Sequence, residues 1–295
     1  MPKKTRGDGY RTFLRLGERP PADEAFNLPP KPRDRDRRLW RNRLHMLNQA
    51  AAVSFERLRE IAENLCPLPP LPQKMCNVHL DYDMIDHPTK IMAQKLRPFG
   101  ENFFPIKSKA NNSCFYASAS RLVCGSQDRD VEMRVRIIVD MALHLDSYLD
   151  HEILTNGHTF AQNEQHKDHQ NMASVLLALS LEPTTWENYR DHPESWVQLM
   201  EGMVREWTHV QEWANIFAFQ ALANITRQTV QSYYPSWEET AEEQFVDTFF
   251  DLNRQFRPRE PRVESQDDPD VPLVIAWTAL GPDSTTFNHF VPVVP

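Results

Sequence analysis

The chain has 295 residues, 40 % hydrophobic and 25 % charged, enough for one sizeable globular domain plus an appendage. Its net charge is -8, yet the first forty or so residues are basic (Lys3, Lys4, Arg6, Arg11, Arg15, Arg19, then Arg33, Arg35, Arg37, Arg38, Arg41). The remainder is therefore acidic, which argues against a nucleic-acid-binding core. No apolar stretch approaches the ~18–20 residues that span a bilayer, and Met1-Pro2-Lys3-Lys4 lacks the apolar segment of a secretory signal, so no membrane partner is expected.

Residues 1–33 mix Pro, Gly and charge with few large apolar side chains and read as a disordered basic arm, suited to a weak nucleic-acid contact or a nuclear address. From Asp34 the pattern changes. Trp40, Leu44, Leu47, Ala51, Phe55, Leu58, Ile61, Ala62 and Leu65 recur at three- and four-residue steps, which predicts one amphipathic helix over 34–66. A partner-binding helix and a helix docked on its own domain both satisfy that pattern. Pro67-Leu68-Pro69-Pro70-Leu71-Pro72 stops it, because proline lacks an N–H and restricts the residue before it. Residues 67–100 then read as a Pro-rich linker and lead-in, and 101–295 as the main domain.

Within that domain Asn111 to Ser113 form a polar turn into a buried helix beginning at Cys114. Asp128 or Asp130 is the expected cap of a long helix through Leu149, with Met133, Ile137, Ile138, Met141 and Leu145 inward. Residues 151–208 read as a loop or helical insertion, His- and Gln-rich at its start. A helix is predicted over 210–224, and β-branched and aromatic runs predict strands at 229–235, 272–278 and 289–294. Helices first and strands last make an α+β fold with a small sheet built from the carboxy-terminal part.

Four cysteines (Cys66, Cys76, Cys114, Cys124) are too few and scattered for a disulfide framework, so a reducing compartment, cytoplasmic or nuclear, is expected. Cys66 and Cys76 are too far apart for a zinc knuckle. His151, His158, His166 and His169 fit a solvated loop better than a metal site, and no Gly-rich phosphate loop is present; no metal or cofactor is expected. Trp186, Trp196 and Trp207 with Met200 and Met203 read as core. Cys124 reads as a packed side chain. Cys114 differs from the other thiols by its position. At a helix amino terminus free N–H groups and the helix dipole favour a thiolate, and the same N–H groups can cradle an oxyanion. A thiol nucleophile also needs a base, and His289 opens the last strand.

The block Asn111-Asn112-Ser113-Cys114-Phe115-Tyr116-Ala117-Ser118-Ala119-Ser120, with Gly125 and Glu132-Met133-Arg134-Val135-Arg136 after it, resembles the nucleophile block of the OTU family of cysteine proteases. Asn288-His289-Phe290 resembles that family's terminal base motif, and the order of blocks is kept over about 105–295. The resemblance implies a papain-like OTU fold, a small central sheet packed between helices, here with an N-terminal helical extension. It further implies a deubiquitinase: Cys114 attacks the isopeptide carbonyl of ubiquitin or a ubiquitin-like protein, His289 is the base, and N–H groups at Asn112 and Cys114 form the oxyanion hole. The family's Asp and Gly before the nucleophile are Asn111 and Asn112 here, and the position two beyond the base is Val291. Asn111 is then the expected orienter of His289, with Asn288 second, in the manner of a Cys-His-Asn triad. Arg254-Gln255-Phe256-Arg257-Pro258-Arg259, Ile275-Ala276-Trp277 and Phe290-Val291-Pro292-Val293 resemble the vertnin-like branch of the family. That resemblance implies the alternative, a catalytically weak or inactive nuclear regulatory or binding protein.

Overall fold

The computed structural model describes residues 33–71, 104–106, 108–109, 112–149, 195–212, 214–233, 254–261, 272–278 and 289–294. Two helices lead: α1 (Asp34–Val53) and α2 (Phe55–Leu65). The sequence predicts one helix here, and Ser54 is the reason for two. Its backbone is extended (φ -163, ψ 170) and its hydroxyl accepts from Arg57 N–H at 3.1 Å, which ends one helix and caps the next. Both helices share a continuous core with the rest of the protein: Trp40, Leu44, Leu47, Phe55, Leu58 and Ala62 are buried there. The docked-helix reading describes these two elements. Leu68 and Leu71 pack against the same core, and Pro69 O accepts from Arg136 Nη2 at 2.7 Å.

Strand β1 (Phe104–Pro105) precedes α3 (Cys114–Cys124), which ends where Gly125 adopts φ 72 and donates its N–H to Arg121 O. The left-handed backbone there is what glycine permits at low cost. A 3-10 turn over Gln127–Arg129 leads to α4 (Asp130–Leu143), and α5 (Leu145–Leu149) follows after a break at His144. Neither Asp128 nor Asp130 caps α4. Ser126 instead accepts from Asp128 N–H at the 3-10 turn. The expected inward residues of α4 are buried, and so are Glu132, Arg134 and Arg136, because helices α1, α2, α3 and α7 surround it.

The later helices are α6 (Ser195–Glu206) and α7 (Ile216–Thr226). The helix expected from 210 starts at Ile216, since Asn215 accepts from Phe217 N–H at 3.0 Å as an amino-terminal cap. Trp196, Met200 and Trp207 belong to the core.

Strands β2 (Val230–Tyr233), β3 (Gln255–Phe256), β4 (Leu273–Thr278) and β5 (His289–Val294) join β1 in one five-stranded sheet of order β1-β5-β4-β2-β3. Strands β2 and β4 are parallel, and the other pairs antiparallel. The two edge strands, β1 and β3, are two residues each. The expectation of a sheet drawn only from the end of the chain is corrected by β1, which precedes the first domain helix. Two residues carry no alternation to read. Leu273, Ile275, Trp277 and Phe290 face the helices. There Phe115, Phe219 and Phe290 meet with centroids 4.9–5.8 Å apart, and Trp277 lies 4.5 Å from Phe290. Val274, Ala276, Val291 and Val293 form a smaller cluster on the other face. The fold is mixed α+β, a small sheet among helices.

Candidate active site

The site forms where β1 leaves the sheet. Phe104 pairs with Val294 and Pro105 with Val293, and Ile106 N–H donates to Pro292 O at 2.8 Å. The N–H and C=O of a strand residue point to the same edge and recur there every second residue. Those of Phe290 therefore also face the β1 side, beyond the last β1 backbone bond. Buried backbone groups need partners, and here side chains supply them. The Phe290 N–H lies near the Cys114 thiol and favours its thiolate form. The Phe290 carbonyl accepts from the hydroxyl of Ser108, in a short hydrogen bond, and from that of Ser118 at 3.0 Å. Ser118 Oγ also lies 2.7 Å from Cys114 O, one turn back in α3. Ser108 Oγ sits 3.2 Å from His289 Nε2.

Cys114 and His289 thus converge at the backbone of Phe290, the thiol near its N–H and the imidazole through Ser108 at its C=O. The thiol lies near the N–H of the residue that follows the imidazole. Helix α3 is held against β5 by the ring contact of Phe115 with Phe290, at 5.3 Å, which fixes the start of the helix over the strand. Both side chains are 1 % exposed. That burial overturns one expectation from sequence. The helix amino terminus was to favour a thiolate, and N–H groups of Phe290, Phe115 and Cys114 do pull in that direction, with a smaller contribution from the Arg134 charge. Desolvation outweighs them all and pushes the thiol up to about 11. In this conformation Cys114 is a thiol.

The turn before Cys114 is anchored by Arg134. Its Nη1 donates to Trp207 O at 3.0 Å and His209 O at 2.8 Å. Its Nη2 donates to Asn112 O, Val210 O and Glu212 O at 3.1–3.2 Å. The guanidinium carbon lies 4.0 Å over the Tyr116 ring. Asn112 adds a short bond from its side-chain amide to Gln211 O. The chain after α6 is in this way strapped to the turn that opens α3.

Of the residues expected from sequence, Cys114, Asn112 and His289 come together at this corner. Asn111 and Asn288 lie outside the described residues, as do Cys76, Trp186, the basic arm over 1–32, the linker over 72–100 and the His-rich segment over 151–170. Ser108 was missed. Its signal is faint, a lone Ser six residues before the nucleophile, and only the β1–β5 register reveals that it stands opposite Phe290. Cys124 is packed, its thiol pushed by burial to about 12, and Cys66 is exposed. Among the described residues no group of three or more His, Cys, Asp or Glu side chains is arranged to hold a metal ion, and no helix is long and apolar enough to cross a membrane.

Cys114 stands at the head of a buried helix, and His289 opens β5, the strand next to the β1 edge of a small mixed sheet. The family model described as "Vertnin, OTU domain" matches residues 105–278, and the chain belongs to that family. The matched span contains Cys114 and ends before His289. Among solved structures, the OTU domain of OTUD1 aligns at 12 % identity and a TM-score of 0.38, over 70 % of this chain and 95 % of that one. No curated protein matches the chain.

Proposed function

We propose that this is an OTU-type cysteine hydrolase that cleaves the isopeptide bond at the carboxy terminus of ubiquitin or a ubiquitin-like protein, held closed in the conformation described. The observation that carries the reading is the convergence of Cys114 and His289 at the backbone of Phe290, at the edge of β5 beyond β1. In the reaction His289 takes the proton from Sγ, and the sulfur forms a bond to the substrate carbonyl carbon. The tetrahedral oxyanion is met by the N–H groups at Asn112 and Cys114. Collapse breaks the C–N bond as His289 returns the proton to the departing lysine amine. Water, deprotonated by the same imidazole, then hydrolyses the thioester and frees the thiol.

Ubiquitin carrying a carboxy-terminal electrophile tests this directly. A covalent adduct on the wild type, absent from Cys114→Ala, is the expected result; failure of ubiquitin and ubiquitin-like probes alike would overturn it. One observation favours a second reading, a non-catalytic binding protein of the same family. Both candidate catalytic side chains are 1 % exposed, and the thiol is held protonated to about 11. On that reading the basic arm carries nuclear address or partner capture. Deleting residues 1–32 then abolishes nuclear enrichment, whereas on the hydrolase reading it leaves probe reactivity intact.

A further inference from the structure

We infer that Ser108 is the positioning residue for His289, setting which imidazole nitrogen carries the proton. The functional meaning of this inference rests on the hydrolase reading; its geometry does not. Proton counting at one oxygen makes the case. A serine hydroxyl has one proton to donate and lone pairs to accept with, while a backbone carbonyl only accepts. Ser108 Oγ is in short contact with Phe290 O, so its one proton is committed there. The same oxygen lies 3.2 Å from His289 Nε2, and with its proton spent it can only accept from that nitrogen. In the neutral ring Nε2 therefore bears the hydrogen and Nδ1 keeps the lone pair, which is the tautomer a base at Nδ1 requires.

The arrangement is buried and locally enforced. Ser108 is 3 % exposed, Phe290 is fixed in β5 by its pairing with Trp277, and Ser108 follows the last β1 backbone bond by two residues. A carboxylate in this place would add charge stabilisation of the imidazolium. A hydroxyl fixes the tautomer and the ring orientation without that charge. The serine accordingly gives a slower catalyst with the correct proton placement.

Nitrogen-15 NMR of histidine-labelled full-length protein tests this, with His289→Gln used to assign the ring signals. In the wild type at a pH where the ring is neutral, His289 is expected to be protonated at Nε2. Ser108→Thr, which keeps the hydroxyl, should keep that pattern. Ser108→Ala should shift the ring toward a tautomer mixture and slow adduct formation with the ubiquitin electrophile about tenfold to a hundredfold. A wild-type ring protonated at Nδ1, or Ser108→Ala nitrogen shifts identical to wild type, would overturn the inference. If Ser108→Ala does not fold, the wild-type and Ser108→Thr spectra still decide it. An Nε2–H ring in a protein that no probe labels sinks the hydrolase reading alone; a labelled protein with an Nδ1–H ring sinks the inference alone.

Discussion

Two buried polar clusters sit a few residues apart in this protein, and they are built differently. Around Arg134 a single guanidinium meets five backbone carbonyls and stacks on Tyr116. Its Nη hydrogens are all engaged, and the charge is shared over a fixed fork that moves no proton. At the edge of β5 the backbone of Phe290 meets a thiol near its N–H and two hydroxyls at its C=O, with an imidazole one bond further on. Each member of that second cluster can give, take or share a proton. In the first cluster the guanidinium's Nη groups are saturated and its role is structural. The second has the composition of a reacting site, and the strap that the first one ties lies against the turn that opens α3.

The largest effect is expected where saturation is broken. Arg134→Met leaves the carbonyls of 112, 207, 209, 210 and 212 without their donor and removes the ring contact. A loss on the order of 3 kcal/mol or more follows, read as a drop in the urea midpoint. Arg134→Lys is the sharper variant. An ammonium keeps the charge but offers three donors from a point, so it cannot reach five carbonyls spread along the strap, and most of the loss should remain. A lysine variant as stable as wild type would show that charge and not the fork holds the strap.

At the β5 edge the next effect concerns the Cys114 thiol. A thiol held near 11 instead of about 9 has roughly a hundredfold less thiolate at pH 8, so iodoacetamide should modify Cys114 at least a hundredfold slower in the native chain than in urea. Stability follows the same shift. The folded state keeps its thiol protons at Cys114 and Cys124 to higher pH than the unfolded chain does. Between pH about 9 and 11 the unfolded chain thus binds fewer protons, and stability falls as pH rises, on the order of 1 kcal/mol per pH unit for each thiol. Below pH 9 the two states hold the same thiol protons and the contribution of these two groups to the slope vanishes. Native-state labelling as fast as in urea would mean an open site with an activated thiolate, and would erase the contrast between the clusters.

How much of this was readable from the chain depends on the length of the signal. Helices α1, α3, α4 and the longer strands declared themselves, since six or more residues carry a period or a β-branched run. The break at Ser54 and the start of α7 at Asn215 were not anticipated, because each is decided by one side-chain oxygen competing for a backbone N–H. Cys114 and His289 stood out through their places at the head of α3 and of β5. Ser108 did not, because its role depends on β1, two residues long, ending opposite a particular point of β5. The sign of the Cys114 shift was also beyond the sequence: helix position favours the thiolate, and only the packing of α3 on β5 shows that desolvation wins.

The smallest effect separates the two serines. Ser118 donates toward Phe290 O and toward Cys114 O, but it makes no bond to His289. If it is replaced by alanine, Phe290 O keeps the Ser108 hydroxyl and Cys114 O keeps its helical partner, so no buried acceptor is orphaned. Ser118→Ala is therefore expected to cost about 1 kcal/mol or less in urea unfolding. It should leave the His289 nitrogen shifts where they are in the wild type. Ser108→Ala removes an oxygen that bridges strand and imidazole, and moves those shifts. If Ser118→Ala moved them as well, the tautomer would be governed by the packing of α3 on β5 and not by a single hydroxyl, and the β5 edge would be a structural cluster of the same kind as the one around Arg134.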